Sequence, residues 1–245
     1  MWDMTTAPIS TLLGSAARVP FALLKQFRPQ RPIHSEGVGL EGVLTRAGGG
    51  TSGIRWIDEA GEDPVRARFS RSFGLPQGWP DILGLALRCP VPPSGQMGGR
   101  SDGRADILLA TAGSGRFSRF VPTFHRHVPD SAFASFMPYR GLDGPVLVAA
   151  HPEPRAERLP ARPDLFRASI AAEPWALGMY WATPLGPWQR FGTVELGPGV
   201  PFGDDERFDP LLNVPTGAEN YEWTCRLREP SYTLARAPRG QLRRA

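Results

Sequence analysis

Residues 31–42 read RPIHSEGVGLEG, and this stretch decides how the rest of the chain is interpreted. Its glycines, Gly37, Gly39 and Gly42, form the G-x-G-x-x-G pattern of dinucleotide-binding loops. Such a loop needs a buried hydrophobic strand directly before it and a helix that begins at it. Here proline and charged residues precede the glycines, and a second glycine-rich turn at residues 48–50 follows them. We therefore expect the glycines to mark a twisted strand that another backbone or a flat ligand approaches closely.

The remaining chain has the composition of a folded, turn-rich β protein. Its 245 residues include 27 prolines and 28 glycines, and 41% of the residues are hydrophobic. Short apolar or alternating runs predict strands at residues 38–45, 53–58, 65–72, 82–88, 106–112, 145–150, 165–172, 177–183 and 190–196. Residues 117–139 are expected to form helical pieces. The pattern predicts an α+β fold, an antiparallel β-barrel of about eight strands with flanking helices.

The charge argues against a nucleic-acid partner, and the cysteine content indicates the cellular environment. The chain has 28 lysines and arginines and a net charge of +4, and Lys25 is its only lysine. No dense basic run with interleaved aromatic residues is present, so we expect no nucleic-acid partner. Cys89 and Cys225 fit neither a metal motif nor a disulfide framework, which favours a reducing, cytoplasmic environment.

The first 30 residues are expected to be a helical lead-in to a single domain at residues 31–245. Residues 11–27 have an amphipathic pattern, which predicts a helix packed on that domain. The apolar run at residues 9–24 is interrupted by Gly14, Arg18 and Pro20 and lacks a basic leader. We therefore expect neither a signal peptide nor a transmembrane segment.

Three blocks of sequence, in the same order along the chain, resemble the catalase-like haem proteins. The first is Arg31-x-x-His34 with its following glycines, which resembles the strand that carries the distal histidine of that family. The second, VRARFS at residues 65–70, resembles the family's V-R-F-S strand. The third is Arg228-x-x-x-Tyr232, with Arg239 seven residues later. The chain is much shorter than a typical catalase and resembles the short, barrel-only members.

This resemblance implies a haem b cofactor bound through the C-terminal block. Tyr232 matches the tyrosinate that ligates the haem iron, and Arg228 matches the arginine that supports it. The pairing is chemically reasonable because a neighbouring guanidinium stabilises a phenolate, whose ordinary pKa is about 10. The positions that match propionate-binding arginines are Arg31, Arg68 and Arg239, and arginine forks suit carboxylates.

The resemblance also assigns residues to the opposite side of the haem. His34 matches the catalytic histidine, which moves a proton between peroxide oxygens. Ser70 matches the serine that hydrogen-bonds this histidine and fixes its tautomer. Thr111 or a neighbour falls where the family has an asparagine that orients peroxide, and Phe117 is a candidate for stacking on the haem.

Two classes of function remain open from the sequence. The first is a haem-dependent peroxidase or catalase-like oxidoreductase that acts on hydrogen peroxide or an organic hydroperoxide, including rearrangement of a lipid hydroperoxide. The second is a non-catalytic haem-binding protein, or a haem-free barrel that serves as a binding protein. The missing asparagine weakens the expectation of hydrogen peroxide disproportionation, and a homodimer is compatible with either class.

Overall fold

The computed structural model describes residues 37–76, 78–91, 103–128, 132–203 and 206–228, and most of them lie in strands. The strands are β1 Gly37–Arg46, β2 Gly61–Arg71, β3 Leu83–Pro90, β4 Arg104–Thr111, β5 Phe133–Ala134, β6 Tyr139–Gly141, β7 Gly144–Pro152, β8 Trp175–Ala182, β9 Gln189–Pro198 and β10 Glu219–Asn220. The helices are α1 Arg55–Asp58 and α2 Pro163–Ala172, with a 3-10 turn at Ser118–Phe120. Residues 222–228 are also helical.

The strands close into an antiparallel barrel. Their order is β7-β5-β4-β3-β2-β1-β9-β8, and β8 pairs again with β7. The short strands β6 and β10 extend the sheet beyond β7 without entering the ring. Closure pairs the backbone groups that an open sheet would leave at its edges. The predicted fold class, an antiparallel barrel of about eight strands with flanking helices, is confirmed.

Aromatic side chains fill the inside of the barrel. The rings of Phe69 and Phe166 stack with their centroids 4.1 Å apart. Trp175 meets Phe69, Phe133 and Phe166 edge-on. Fully burying such a side chain contributes about 1.5–3 kcal/mol. Because side chains occupy the interior, a ligand as large as a haem can meet only the outer face of the wall.

Two of the predicted strands are wrong. Residues 165–172 form most of helix α2, which begins with Pro163 in its first turn. Phe166 and Ile170 lie four residues apart and are both buried, which is a helical spacing. Within residues 53–58, the chain makes the short helix α1 instead of a strand.

The expected helical pieces at residues 117–139 were also wrong in large part. Among the described residues of this range, the helical part is the 3-10 turn, and β5 and the start of β6 follow it. Prolines and the β-bridges Asp81–His125 and Ala112–Pro122 hold the intervening chain extended. The predicted lead-in at residues 1–30 lies outside the described residues, and no described helix is long and apolar enough to cross a bilayer.

Two glycines of the opening motif lie where backbone carbonyl groups from other parts of the chain closely approach β1. A Cβ on Gly39 would collide with the carbonyl oxygen of Val200, and one on Gly42 would collide with that of Glu195. The expectation of a strand closely approached by another backbone is therefore confirmed.

Candidate functional site

The outer face of strands β1 to β4 carries three parallel rows of residues. On β2, Val65, Ala67 and Phe69 are buried in the core, so the alternate residues point outward. The strand register aligns each outward residue with its neighbours on adjacent strands. These rows are the charged row (Glu41, Arg66, Arg88, Asp106), the arginine row (Gly39, Arg68, Ala86, Leu108) and the small row (Gly37, Ser70, Gly84, Ala110).

The small row makes the wall smooth. None of its four side chains is larger than serine, and the register continues it to Ala134 and Ala149 on the next two strands. Adjacent strands are about 4.8 Å apart, so the four strands of the small row span about 14 Å. The result is a stretch of wall with little side-chain relief.

Arg68 places a positive charge at this surface. Its side chain lies against Gly37, where a Cβ would be 2.8 Å from both the Cζ and the Nε of the guanidinium. Glycine at position 37 is therefore needed for this arginine conformation. Burial withdraws the guanidinium from water and lowers the pKa of Arg68. Arginine stays charged despite such a shift, and a cation partly removed from water is well suited to a carboxylate.

Residues 199–203 and 206–213, here termed the covering segment, close one side of this surface by binding the charged row. Arg88 pairs with Asp106 through two bonds, Nε–Oδ1 at 2.7 Å and Nη2–Oδ2 at 3.0 Å. Asn213 Nδ2 donates to Asp106 Oδ2 at 2.7 Å, and the Phe208 ring centre lies 4.7 Å from the Arg88 Cζ. The charged row is thus used within the protein to hold the covering segment on the wall.

The contact between Arg119 and Trp188 covers the other end of the small row. Arg119 donates to the carbonyl oxygens of Thr183 and Gly186 at 3.3 and 3.0 Å, and its Cζ lies 4.4 Å from the Trp188 ring centre. Trp188 packs against an alanine cluster formed by Ala112, Ala132, Ala134 and Ala149. Within the small row, Ser70 and Gly84 are buried, Ala110 is partly buried and Gly37 is exposed.

Thr111 faces the inside of the barrel, unlike Ser70. Its register partner is Phe133, a core residue. The Thr111 hydroxyl accepts from the Leu83 N–H at 3.2 Å and donates to the Thr123 carbonyl at 2.7 Å. Both bonds lie within the wall. Ala110, one residue earlier, is the residue of β4 that shares the face of Ser70.

The other predicted site residues fall into two groups. Phe117 is 79% exposed at the start of the 3-10 turn, and Arg228 is partly buried at the end of the helical residues 222–228. Arg31, His34, Tyr232 and Arg239 lie outside the described residues. Among the described candidates, the structure thus brings Arg68 and Ser70 onto one face. The interpretation of the sequence did not identify Gly84, Ala86 and Ala110 as part of this surface, although their alternation with buried residues was a usable signal.

The barrel is similar to solved catalase structures. Superposition on catalase A from Saccharomyces cerevisiae gives a TM-score of 0.58 with 14% identity over 96% of this chain and 65% of that chain. A fungal catalase gives 0.56 with 15% identity over 96% and 64%, and a bacterial catalase gives 0.51 with 16% identity over 90% and 60%. The chain matches no protein-family model, and no curated protein matches its sequence.

These similarities establish the fold of the chain. Identities of 14–16% carry no information about which residues act in a reaction. The chain also spans between 60% and 65% of the length of those catalases.

Proposed function

We propose that this chain, which has the barrel fold of the catalases, binds haem b against the outer face of strands β1 to β4. We further propose that it uses this haem in a peroxidase-type reaction on hydrogen peroxide or an organic hydroperoxide. The observation that carries the proposal is the position of Arg68, a partly buried cation on a wall of small residues next to Ser70.

The described residues fit one side of a flat, anionic group. The small row offers a surface without large side chains, and Gly37 leaves the space that the Arg68 guanidinium occupies. A propionate would form charge-assisted hydrogen bonds with that guanidinium, which contribute more than bonds between neutral groups. Arg31 and Arg239 are proposed as further propionate partners on the resemblance of their motifs alone.

When bound, haem would supply the redox-active iron for reduction of the peroxide. Tyr232 is the proposed iron ligand, and Arg228 would stabilise its phenolate by lowering the pKa of the tyrosine. Phe117 remains a candidate for stacking on the ring.

His34 and Ser70 are the proposed residues for proton transfer. A neutral histidine takes a proton from one peroxide oxygen and returns it to the other, because its ordinary pKa of about 6.5 lies near the working pH. Ser70 would hydrogen-bond the other ring nitrogen and so hold His34 in one tautomer. Thr111 is not assigned a role in this step, because it lies on the inward side of the wall.

A haemin titration of the full chain tests the proposal. We expect a Soret band that appears on binding and is displaced or lost in Tyr232→Phe. The matched control Tyr180→Phe removes a hydroxyl from strand β8 on another part of the wall and should leave the band unchanged. A titration without a Soret band, or a band indifferent to Tyr232→Phe, would overturn the proposed haem site.

Peroxide turnover separates the enzyme from its alternative, a non-catalytic haem-binding protein. The alternative is favoured by Ala110, which gives the face of Ser70 no side-chain amide at this position of β4. For the enzyme, we expect His34→Ala to keep the Soret band and lose peroxide turnover. If the band is present and turnover by the wild-type chain does not exceed that of free haemin, the non-catalytic function is the correct one.

A further inference from the structure

Two loops at one end of the barrel expose aromatic and apolar side chains. These loops connect β2 to β3 (residues 72–82) and β4 to β5 (residues 112–132), and residues 77 and 129–131 are not among the described positions. Trp79 is 63% exposed, Phe117 79%, Val121 56% and Phe124 53%. Exposure of one such residue is ordinary, but several on two adjoining loops indicate an interaction surface.

The two loops are held together where Trp79 and Phe124 are exposed. Asp81 and His125 pair through backbone bonds, with Asp81 N to His125 O at 3.0 Å and His125 N to Asp81 O at 2.8 Å. The rings of Phe73 and Phe124 stack across the loops with centroids 5.9 Å apart. Asp81 also accepts from the backbone N–H groups of Phe73 and Leu75, which fixes the first loop.

The described positions of these loops expose positive charge. Arg116 and Arg126 are exposed on the second loop, and His127 is exposed next to Arg126. Among the described residues, neither arginine has an ion pair. Asp81 is the acidic residue that the two loops contribute at their described positions, and it is fully buried. At their described positions, the two loops therefore combine exposed cations with exposed aromatic rings.

We propose that this end of the barrel docks onto an anionic lipid surface. Tryptophan and phenylalanine partition into the boundary between headgroups and acyl chains, and arginines are attracted to anionic headgroups. The charge complementarity favours a lipid bilayer with negative headgroups as the occupant. Phe117 is the one residue of this surface that is also a haem-site candidate, and the variants that test the docking leave it unchanged.

Flotation of the full chain with vesicles tests the docking. The vesicles contain either phosphatidylcholine alone or phosphatidylcholine with phosphatidylglycerol. We expect binding to the anionic vesicles at low salt, little binding to the neutral ones, and a decrease as salt screens the charges. The double variant Arg116→Glu/Arg126→Glu should bind at least about thirty-fold more weakly, because loss of each cation near such a surface changes affinity about five-fold and each new carboxylate adds repulsion. Trp79→Ala should also weaken binding and abolish a vesicle-induced blue shift of tryptophan fluorescence.

Matched variants at the opposite end of the barrel control for net charge and for loss of an aromatic ring. Arg55→Glu/Arg140→Glu makes the same change in net charge on exposed arginines, and Trp223→Ala removes another exposed tryptophan. Both should float as the wild type does, with an unchanged melting temperature. Equal weakening by the control variants would overturn the proposal, since it would indicate unspecific charge attraction.

Absence of vesicle binding by the wild type would also overturn it. Acrylamide quenching and size-exclusion chromatography would then identify the occupant. Shielding of Trp79 in a monomer would indicate that residues 1–36 of the chain cover the loops, and shielding in a dimer would indicate a second copy.

Discussion

Arg66 and Arg68 lie on the same strand and the same face of the barrel, two residues apart, but their surroundings differ. Arg66 pairs with Glu206, and that hydrogen bond raises the pKa of the arginine. Burial lowers the pKa of Arg68, and its guanidinium lies against a glycine. The first arginine belongs to the charged row beneath the covering segment, and the second lies beside the small row.

The difference shows how one wall can serve two purposes. In the charged row, long side chains and the covering segment satisfy each other's hydrogen bonds, which stabilises the fold. The side chains of the small row are instead short, and Arg68 is a partly buried cation beside them. The partial burial of this cation beside small residues supports the binding role proposed for Arg68.

The largest expected effect comes from breaking the charged row. Asp106→Ala removes the buried partner of Arg88 and leaves that guanidinium with little access to water. We expect the free energy of unfolding to fall by about 3–5 kcal/mol. Urea denaturation of the variant measures this change.

The control for that variant is Glu206→Gln, which removes the exposed partner of Arg66. We expect this loss to be about 0–1 kcal/mol, because an exposed ion pair competes with water. Equal losses in Asp106→Ala and Glu206→Gln would contradict the stabilising role of the Arg88–Asp106 pair.

A bulky residue in the small row should break the binding surface without breaking the fold. Ala110→Phe places a ring on the wall beside Gly84, and we expect haemin affinity to fall roughly ten- to hundred-fold because the ligand must shift or strain to fit. The control Glu195→Phe puts the same ring on the outer face of β9. Isothermal titration of both variants decides the outcome, and unchanged affinity in Ala110→Phe would place the haem elsewhere.

The two neighbouring arginines provide a sharper test of the comparison. Arg68→Ala should weaken haemin binding about ten-fold, since it removes one charge-assisted hydrogen bond to a propionate. Arg66→Ala should leave haemin affinity unchanged, because its side chain is engaged with Glu206 and the Phe202 ring. Equal effects of the two variants on affinity would contradict the separate roles of the rows.

Much of the fold could be predicted from alternation and glycine spacing. The outward position of Arg66, Arg68 and Ser70 follows from the apolar residues between them, and the opening glycines were correctly expected to lie under a close backbone approach. Residues 165–172 were misinterpreted because a short apolar run fits a strand or a helix equally well. The decisive signals were Pro163 and the four-residue spacing of Phe166 and Ile170.

The candidate site was harder to predict because side chains on a strand alternate between faces. A shift of one residue moves every side chain to the other side of the wall. Thr111 was chosen at a position where the alignment allowed a neighbour, and the register shows that Ala110 shares the face of Ser70. The covering segment could not be predicted from the sequence. The hydrogen bond that attaches it to Asp106 comes from Asn213, which lies 107 residues later in the chain.

The smallest expected effect concerns the pH dependence of the Arg66–Glu206 pair. The hydrogen bond from Arg66, followed by that from the Gly203 N–H, lowers the pKa of Glu206 below its ordinary value of 4.5. Glu206 binds a proton less readily in the folded chain than in the unfolded one. Its stabilising contribution is therefore fully present above pH 4.5 and is lost as the pH falls through the lower, folded value.

Urea denaturation of the wild type and Glu206→Gln at several pH values measures this contribution. The difference in the free energy of unfolding should be largest near neutral pH and should shrink toward zero under acidic conditions. Arg66→Gln should remove the same pH dependence, since the arginine is its main cause. A difference that stays constant through the acidic range would show that Glu206 contributes by packing alone, and the covering segment would then depend on Asp106 for its electrostatic hold.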